Sequence, residues 1–196
     1  MYAFTYIVDS DQKIADWANN VSGNNYLSVL IKRGEYHLNG DKSIYINLST
    51  TGTKSIIGEI GSKIIVNSSV ASYLFYYDNL PTMPDFSISS LSIVMTCPTT
   101  GAASGIFRNC LNVSHCIGEL TQSRYGRIFL GCSNIINCVV VDAQGSGSGY
   151  GFLDCLNVKN NKVLSYRTAG YLRSYSSPTA DSTYACANTL EGGWNQ

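Results

Sequence analysis

Charge is what this sequence has least of. Of 196 residues, 13 are Lys or Arg and 13 are Asp or Glu, and the formal net charge is zero. A nucleic-acid groove needs a basic face that displaces counterions, so no nucleic-acid partner is expected. Histidine is scarcer still: His37 and His115 are the only two. With no Cys-x-x-Cys pair beside them, a zinc site is not expected. No apolar run approaches the roughly 18 residues that cross a bilayer, so no membrane insertion is expected. The opening Met-Tyr-Ala-Phe-Thr-Tyr-Ile-Val-Asp lacks the basic start and long apolar core of a signal peptide. The glycine-rich stretch Gly145 to Gly151 lacks the Gly-Lys-Ser/Thr ending of a phosphate loop. No acidic cluster suits calcium. No cofactor and no metal is expected.

What the chain does have is repetition. Gly-Ile-Phe-Arg-Asn-Cys-Leu-Asn-Val-Ser-His-Cys begins at Gly105. Arg-Ile-Phe-Leu-Gly-Cys-Ser-Asn-Ile-Ile-Asn-Cys begins at Arg127, and Tyr-Gly-Phe-Leu-Asp-Cys-Leu-Asn-Val-Lys-Asn-Asn at Tyr150. Cys110, Cys132 and Cys155 are 22 and 23 residues apart. Matching columns surround them: Phe107, Phe129, Phe152; Asn112, Asn134, Asn157; Val113, Ile135, Val158. A weaker copy, Tyr-Ala-Cys-Ala-Asn-Thr, places Cys186 and Asn188 in the same columns. The run Ser90-Leu-Ser-Ile93 aligns with Cys110-Leu-Asn-Val113, one coil earlier.

One repeat is too short and too polar to bury itself. Stacked at about 4.8 Å on its neighbour, it can. Phe then lies over Phe, Val over Ile, Cys over Cys. Asn over Asn at a bend lets each amide bond the next. No repeat carries a helical period. The expected architecture is all-β: a parallel β-helix with coils of about 20–25 residues and several short strands per coil. An antiparallel sandwich would not need columns in register.

Of the seven cysteines, Cys110, Cys132, Cys155 and Cys186 fall on one column, Cys116 and Cys138 on another, and Cys97 lies just before. They read as buried, reduced thiols acting as small hydrophobes. Disulfides between coils are geometrically possible, and nothing in the sequence requires them.

Residues 9–22 form the one expected helix. Asp9 or Ser10 can cap it, and Ile14, Trp17, Ala18 and Val21 share one face. Ahead of a solenoid, such a helix reads as a lid over the first coil's apolar end and its unpaired strand edges. Leu27 to Leu38 then reads as strand, Gly34 turn, strand. The helix, "VLIKRGEYHL", a short strand and "KSIIGEIGSKIIV" together resemble the opening of pectin-lyase-like right-handed β-helices. They are most similar to phage tailspike and tail-fibre β-helix domains, the matching positions being Gly34, Tyr36, Gly58, Glu59 and Gly61. One domain spans 1–196: strand and capping helix in 1–26, coils in 27–190, and a C-terminal cap in 191–196, where Trp194 can fold under the last coil.

Glycoside hydrolysis needs two carboxylates across a sugar. Glu59, Asp78, Glu119, Asp142 and Asp154 are the acidic candidates. Asp154 shares a column with Asn109 and reads as a turn residue. Glu119 and Asp142 are weak catalytic candidates, one residue out of register. A binding wall needs outward aromatics and cations instead. Tyr125, Arg127 and Tyr150 lie near the starts of neighbouring coils. Alternation puts Tyr171, Arg173 and Tyr175 on one strand face.

The resemblance implies a non-catalytic tail-fibre or tailspike module, in a virion tail or outside the cell. Its partner would be a host surface glycan or protein, and its assembly a homotrimer with Tyr171, Arg173 and Tyr175 at or beside the contact. The alternatives are a polysaccharide depolymerase (hydrolase or lyase) on the same fold and a purely structural solenoid.

Overall fold

The computed structural model describes residues 5–19, 28–40, 46–47, 55–69, 73–77, 86–97, 104–121, 126–144, 149–165, 172–176, 185–186 and 189–192. Strand β1 (Thr5–Val8) and helix α1 (Asp11–Asn19) come first. The chain then repeats one three-strand course. The first two courses are β2 (Ser28–Ile31), β3 (Gly34–Gly40), β4 (Ile46–Asn47), and β5 (Ser55–Gly58), β6 (Ser62–Ser68), β7 (Tyr73–Tyr76). Next come β8 (Ser87–Ser89), β9 (Ser92–Thr96), β10 (Ser104–Arg108), and β11 (Leu111–Ser114), β12 (Ile117–Thr121), β13 (Gly126–Leu130). The last are β14 (Ser133–Ile136), β15 (Val139–Gln144), β16 (Gly149–Leu153), and β17 (Leu156–Lys159), β18 (Lys162–Ser165), β19 (Leu172–Ser176), then β20 (Ala185–Cys186) and β21 (Thr189–Gly192). Corresponding strands pair in parallel. The result is a parallel β-solenoid with sheets of 8, 7 and 6 strands. The first sheet runs from β1 to β20, the second from β3 to β21, and the third from β4 to β19.

The repeated residues stack as their spacing predicts. Phe107 pairs with Phe129, and Phe129 with Phe152. Their rings lie 4.8 and 5.1 Å apart, tilted by only 10° and 9°. Phe75 extends this column one coil earlier, 5.6 Å from Phe107. Val113, Ile135 and Val158 form the aliphatic column, and it too reaches back, to Ile88.

Two alignments differ from expectation. Ser89 and Ile88 pair with Ser114 and Val113, so Ser90 matches His115 rather than Cys110. Leu91 takes the place of Cys116 and is equally buried. The similar Ser-Leu-Ser-Ile run misleads because the stack tolerates Leu for Cys. Cys186 pairs with Lys159, not with the Cys155 position. A strand as short as β20 is aligned by its backbone bonds, and a matching side-chain type does not fix its register.

Corners come from left-handed residues. Asn109, Gly131 and Asp154 have φ of 54°, 62° and 54°. Three residues on, Asn112, Asn134 and Asn157 have 53°, 57° and 53°. Three further on, His115, Asn137 and Asn160 have 54°, 56° and 55°. Left-handed backbone disfavours most L residues and is tolerated best by Gly, Asn and Asp, which is the composition found here. At Gly131 a Cβ would also fall 2.5 Å from Asn109 Oδ1. The middle column carries the expected amide ladder. Asn157 Nδ2 donates to Asn134 Oδ1 (2.5 Å), and Asn134 Nδ2 to Asn112 Oδ1 (2.8 Å). Asn112 Nδ2 ends it on the Phe86 carbonyl (3.0 Å).

The cysteines explain how the chain bends without losing buried hydrogen bonds. Cys97, Cys110, Cys116, Cys132, Cys138 and Cys155 are free and buried. They are more than small hydrophobes. Cys132 Sγ accepts from the Cys110 N–H and donates to the Phe107 carbonyl, at 3.3 and 3.6 Å. Asn161 stands next in line after Cys116 and Cys138 and makes the same pair of bonds. Its Oδ1 accepts from Cys138 N (2.8 Å), and its Nδ2 donates to the Ile135 carbonyl (3.0 Å). A side chain at this place must serve an N–H and a C=O at the corner, and a small thiol does both weakly. Burial raises the Cys132 and Cys155 thiols well above 9.0 and Cys97 to about 11. They stay protonated, able to donate and poor as nucleophiles.

Helix α1 is the lid. Ser10, not Asp9, caps it: its Oγ accepts from Lys13 N (3.3 Å) and its carbonyl from Ile14 N (3.2 Å). The buried residues Ile14, Trp17 and Ala18 face the core, with Trp17 6.2 Å from the Phe75 ring. Asp11 Oδ1 accepts from His37 N (2.8 Å) on β3, the terminal strand of the second sheet. A carboxylate thus closes an otherwise open edge. Val21, placed on the helix face from sequence, and Trp194 lie outside the described residues.

Glu59 fastens this end. It sits between β5 and β6 and reaches the equivalent turn of the previous coil. Lys32 Nζ donates to its Oε1 (2.7 Å) and Arg33 N to its Oε2 (2.9 Å). The Lys32 hydrogen bond, then the Arg33 N–H, holds Glu59 below its ordinary 4.5. A depressed carboxylate contributes stability that is present above its unfolded value and lost as pH falls through the folded one. Glu59→Gln should therefore flatten the acid limb of the melting temperature against pH, below about 4.5. Parallel acid limbs for wild type and variant would show that the clamp adds nothing.

Candidate functional site

The third sheet carries the residues that suit a binding wall. The strands β7, β10 and β13 each hold two consecutive buried residues, Leu74–Phe75, Ile106–Phe107 and Ile128–Phe129. Alternation breaks there, and the residues flanking each pair fall in two register columns. Before the pair, Tyr73, Gly105, Arg127, Tyr150 and Arg173 stand in one register column. After it, Tyr76, Arg108, Leu130, Leu153 and Ser176 stand in another.

Three positions expected to bind are thus brought together: Arg127 pairs with Tyr150, and Tyr150 with Arg173. Tyr175 takes a different place. It pairs with Phe152, in the register of the interior phenylalanines. Tyr125 and Tyr171 lie outside the described residues, as does Asp78.

Two wall residues were not picked out from sequence. Tyr73 is 8% exposed, and the exposed Arg108 guanidinium lies 5.8 Å from its ring centre. Both were readable in principle. Tyr-Leu-Phe at Tyr73 matches Gly-Ile-Phe at Gly105 once Phe75 is seen as part of the aromatic column, and Arg108 directly follows Phe107. Gly105 is needed for close approach: a Cβ there would fall 2.7 Å from Tyr73 Cε1 and still closer to the Arg127 carbonyl. Tyr73 OH and Arg127 Nε are both buried, and the Arg127 guanidinium lies against the Tyr73 hydroxyl. Burial raises the Tyr73 phenol above 10.0 while the Arg127 charge pulls it down, so at neutral pH it remains an O–H donor.

The acidic candidates are dispersed. Glu119, half-buried on the second sheet, pairs with Val94 and Val141. Asp142 pairs with Leu120, followed by an irregularity between Leu120 and Thr121. The two are out of register, as their spacing implied. Asp154 is an exposed corner residue with φ 54°, and Glu59 is committed to Lys32 and Arg33. Among the described residues, no group of three or more His, Cys, Asp or Glu is placed to hold a metal. No described helix is long and apolar enough to cross a membrane. Comparison with known proteins yields no matching family model, no matching curated protein and no matching solved structure.

Proposed function

We propose that the chain is a β-helix module of the phage tailspike or tail-fibre type that recognises a host surface glycan or protein and is non-catalytic. The observation that carries this reading is the third-sheet wall, where Tyr73, Arg127, Tyr150 and Arg173 share a column beside Arg108. Sugars are bound by aromatic faces and planar hydrogen-bonding groups on rigid supports, and tyrosine and arginine on a solenoid wall are such groups. The likeness of the helix, Gly34 turn and Ile-Ile-Gly-Glu segment to tailspike openings supports the viral setting. A depolymerase has less support, because Glu119 faces Val94 and Val141 rather than a second carboxylate.

A panel of bacterial surface glycans and whole cells tests the reading. Binding without shortening of the glycan is expected, and absence of binding to every host polysaccharide and cell overturns it. The assembly proposed with it is a homotrimer of side-by-side solenoids about a shared long axis, with Tyr171, Arg173 and Tyr175 at or beside the contact. Closed three-fold packing covers side walls without a propagating edge. Light scattering should give about three times 21.3 kDa. A mass near one chain at micromolar concentration rejects the trimer.

A further inference from the structure

Charge is spread unevenly over the three walls of the solenoid. On the second sheet Glu35 pairs with His37 and Lys63, and Glu119 and Lys162 follow on later strands. The third sheet carries Arg108 and Arg127. On the first sheet, strands β1, β2, β5, β8, β11 and β14 hold no charged residue at all. One outward row there runs Ile7, Leu30, Ile57, Ser89, Ser114 and Ile136 through consecutive register pairs. Beside it Ser28, Ser55 and Ser87 form a row of small side chains. The first charge in the longer row is Lys159, on β17.

Apolar surface concentrates at the N-terminal end of this face. Ile7 is 38% exposed and Ile57 44%, with half-buried Leu30 between them in register. Ile60, on the turn that leaves β5, is 93% exposed. That turn is fixed: Ser62 N donates to the Glu59 carbonyl (2.9 Å), Gly61 takes φ 87°, and Lys32 and Arg33 hold the Glu59 carboxylate. Its second position accepts most residues, polar ones included, yet an isoleucine stands there in water. Single exposed apolar residues are ordinary, but a contiguous row of them marks a contact surface.

The direction of the row points to its occupant. Register pairs stack along the solenoid axis, so the row runs parallel to that axis. Solenoids side by side about a shared axis bring each row against the same row of a neighbour. Every residue then faces its own copy. Isoleucine, leucine and serine tolerate that, whereas arginine, lysine or glutamate would meet its like charge and be repelled. A charged partner finds nothing to pair with on these strands, and a sugar finds no aromatic ring from β2 to β14 of this sheet.

We infer that the outer face of the first sheet, centred on Ile7, Leu30, Ile57 and Ile60, is where a second copy of this chain packs, an inference that rests on the homotrimer reading above and names a contact face for it. Lys159 ends the face, because lysines from neighbouring copies would meet there. The contact proposed around Arg173 lies near the opposite end of the solenoid, on the last strand of the third sheet.

The test measures the mass of the full chain by sedimentation, with two matched variants. Ile57→Lys puts a charge on the proposed contact. Ile117→Lys puts one at an equally exposed isoleucine of the second sheet, also 44% exposed. Both positions point outward, so both variants should keep the wild-type circular dichroism. Wild type should sediment as three chains, and Ile117→Lys with it. Ile57→Lys should weaken association at least roughly a hundredfold, since unpaired ammonium groups would be buried against one another. Added salt should leave the wild-type association intact, because an apolar contact is not screened. A trimer that survives Ile57→Lys overturns this face and leaves the trimer standing. Equal dissociation by both variants, or dissociation of wild type by salt, also overturns the face. A mass of two chains lost only with Ile57→Lys supports the face and rejects the trimer. A wild-type mass of one chain at micromolar concentration overturns both.

Discussion

Phe129→Ala should lower the free energy of unfolding by about 3–5 kcal/mol. Phe129 is fully buried and has a ring on each side, Phe107 at 4.8 Å and Phe152 at 5.1 Å. Truncation removes the transfer energy of one ring and both stacking contacts. It also leaves a cavity that the neighbours cannot close. Their spacing is set by the backbone ladders of β10, β13 and β16, which hold Phe107 and Phe152 two strands apart. Incomplete collapse places the cost high in the range for buried aromatics. Phe107→Ala should behave alike, because Phe75 continues the column beyond it. Urea unfolding with an unchanged m-value is the measurement. A loss below about 1 kcal/mol, the ordinary effect of a point mutation, would show that the aromatic column does not hold the coils together.

The second large effect is expected at Asn134. Asn134→Ala should cost about 2–5 kcal/mol, from two separable sources. The first is backbone. Asn134 has φ 57°, and left-handed geometry costs an ordinary L residue about 1–2 kcal/mol. The second is the ladder. Asn134 donates to Asn112 and accepts from Asn157, and each hydrogen bond contributes about 0.5–1.5 kcal/mol net. Truncation leaves Asn112 Oδ1 and Asn157 Nδ2 facing a gap in a half-buried corner. Asn134→Gly separates the sources, because glycine accepts the backbone but makes no ladder. It should be more stable than the alanine variant by about 1 kcal/mol and still less stable than wild type. Equal stability of the two variants would remove the backbone contribution, and a wild-type-like glycine variant would remove the ladder.

The amide ladder and the phenylalanine column were legible because a parallel solenoid places like on like. Residues at one structural position then share chemistry as well as spacing, and the spacing is visible in a linear sequence. The N-terminal lid was legible for a related reason: Ile14, Trp17 and Ala18 recur with a helical period found nowhere in the repeats. The left-handed column of His115, Asn137 and Asn160, preceded by Ser90, was not recognised. It combines residue types that look unrelated until their φ values are known.

The third-sheet wall shows the boundary most clearly. Sequence alone determined that Arg127 and Tyr150 occupy equivalent places in consecutive coils. It also determined the parallel β-helix, since only stacking buries repeats this short. The tertiary structure decided the rest through register and through breaks in alternation. Paired consecutive buried residues in the third sheet set Tyr175 in the phenylalanine register rather than in Arg173's. The Lys159 pairing moved Cys186 out of the cysteine column. The side chains of Tyr73 and Arg127 meet only because Gly105, between them in space and far from both in sequence, has no side chain to keep them apart. A repeat encodes which residues are equivalent. How an aromatic ring leans across a vacant place between two coils depends on packing that no single repeat contains.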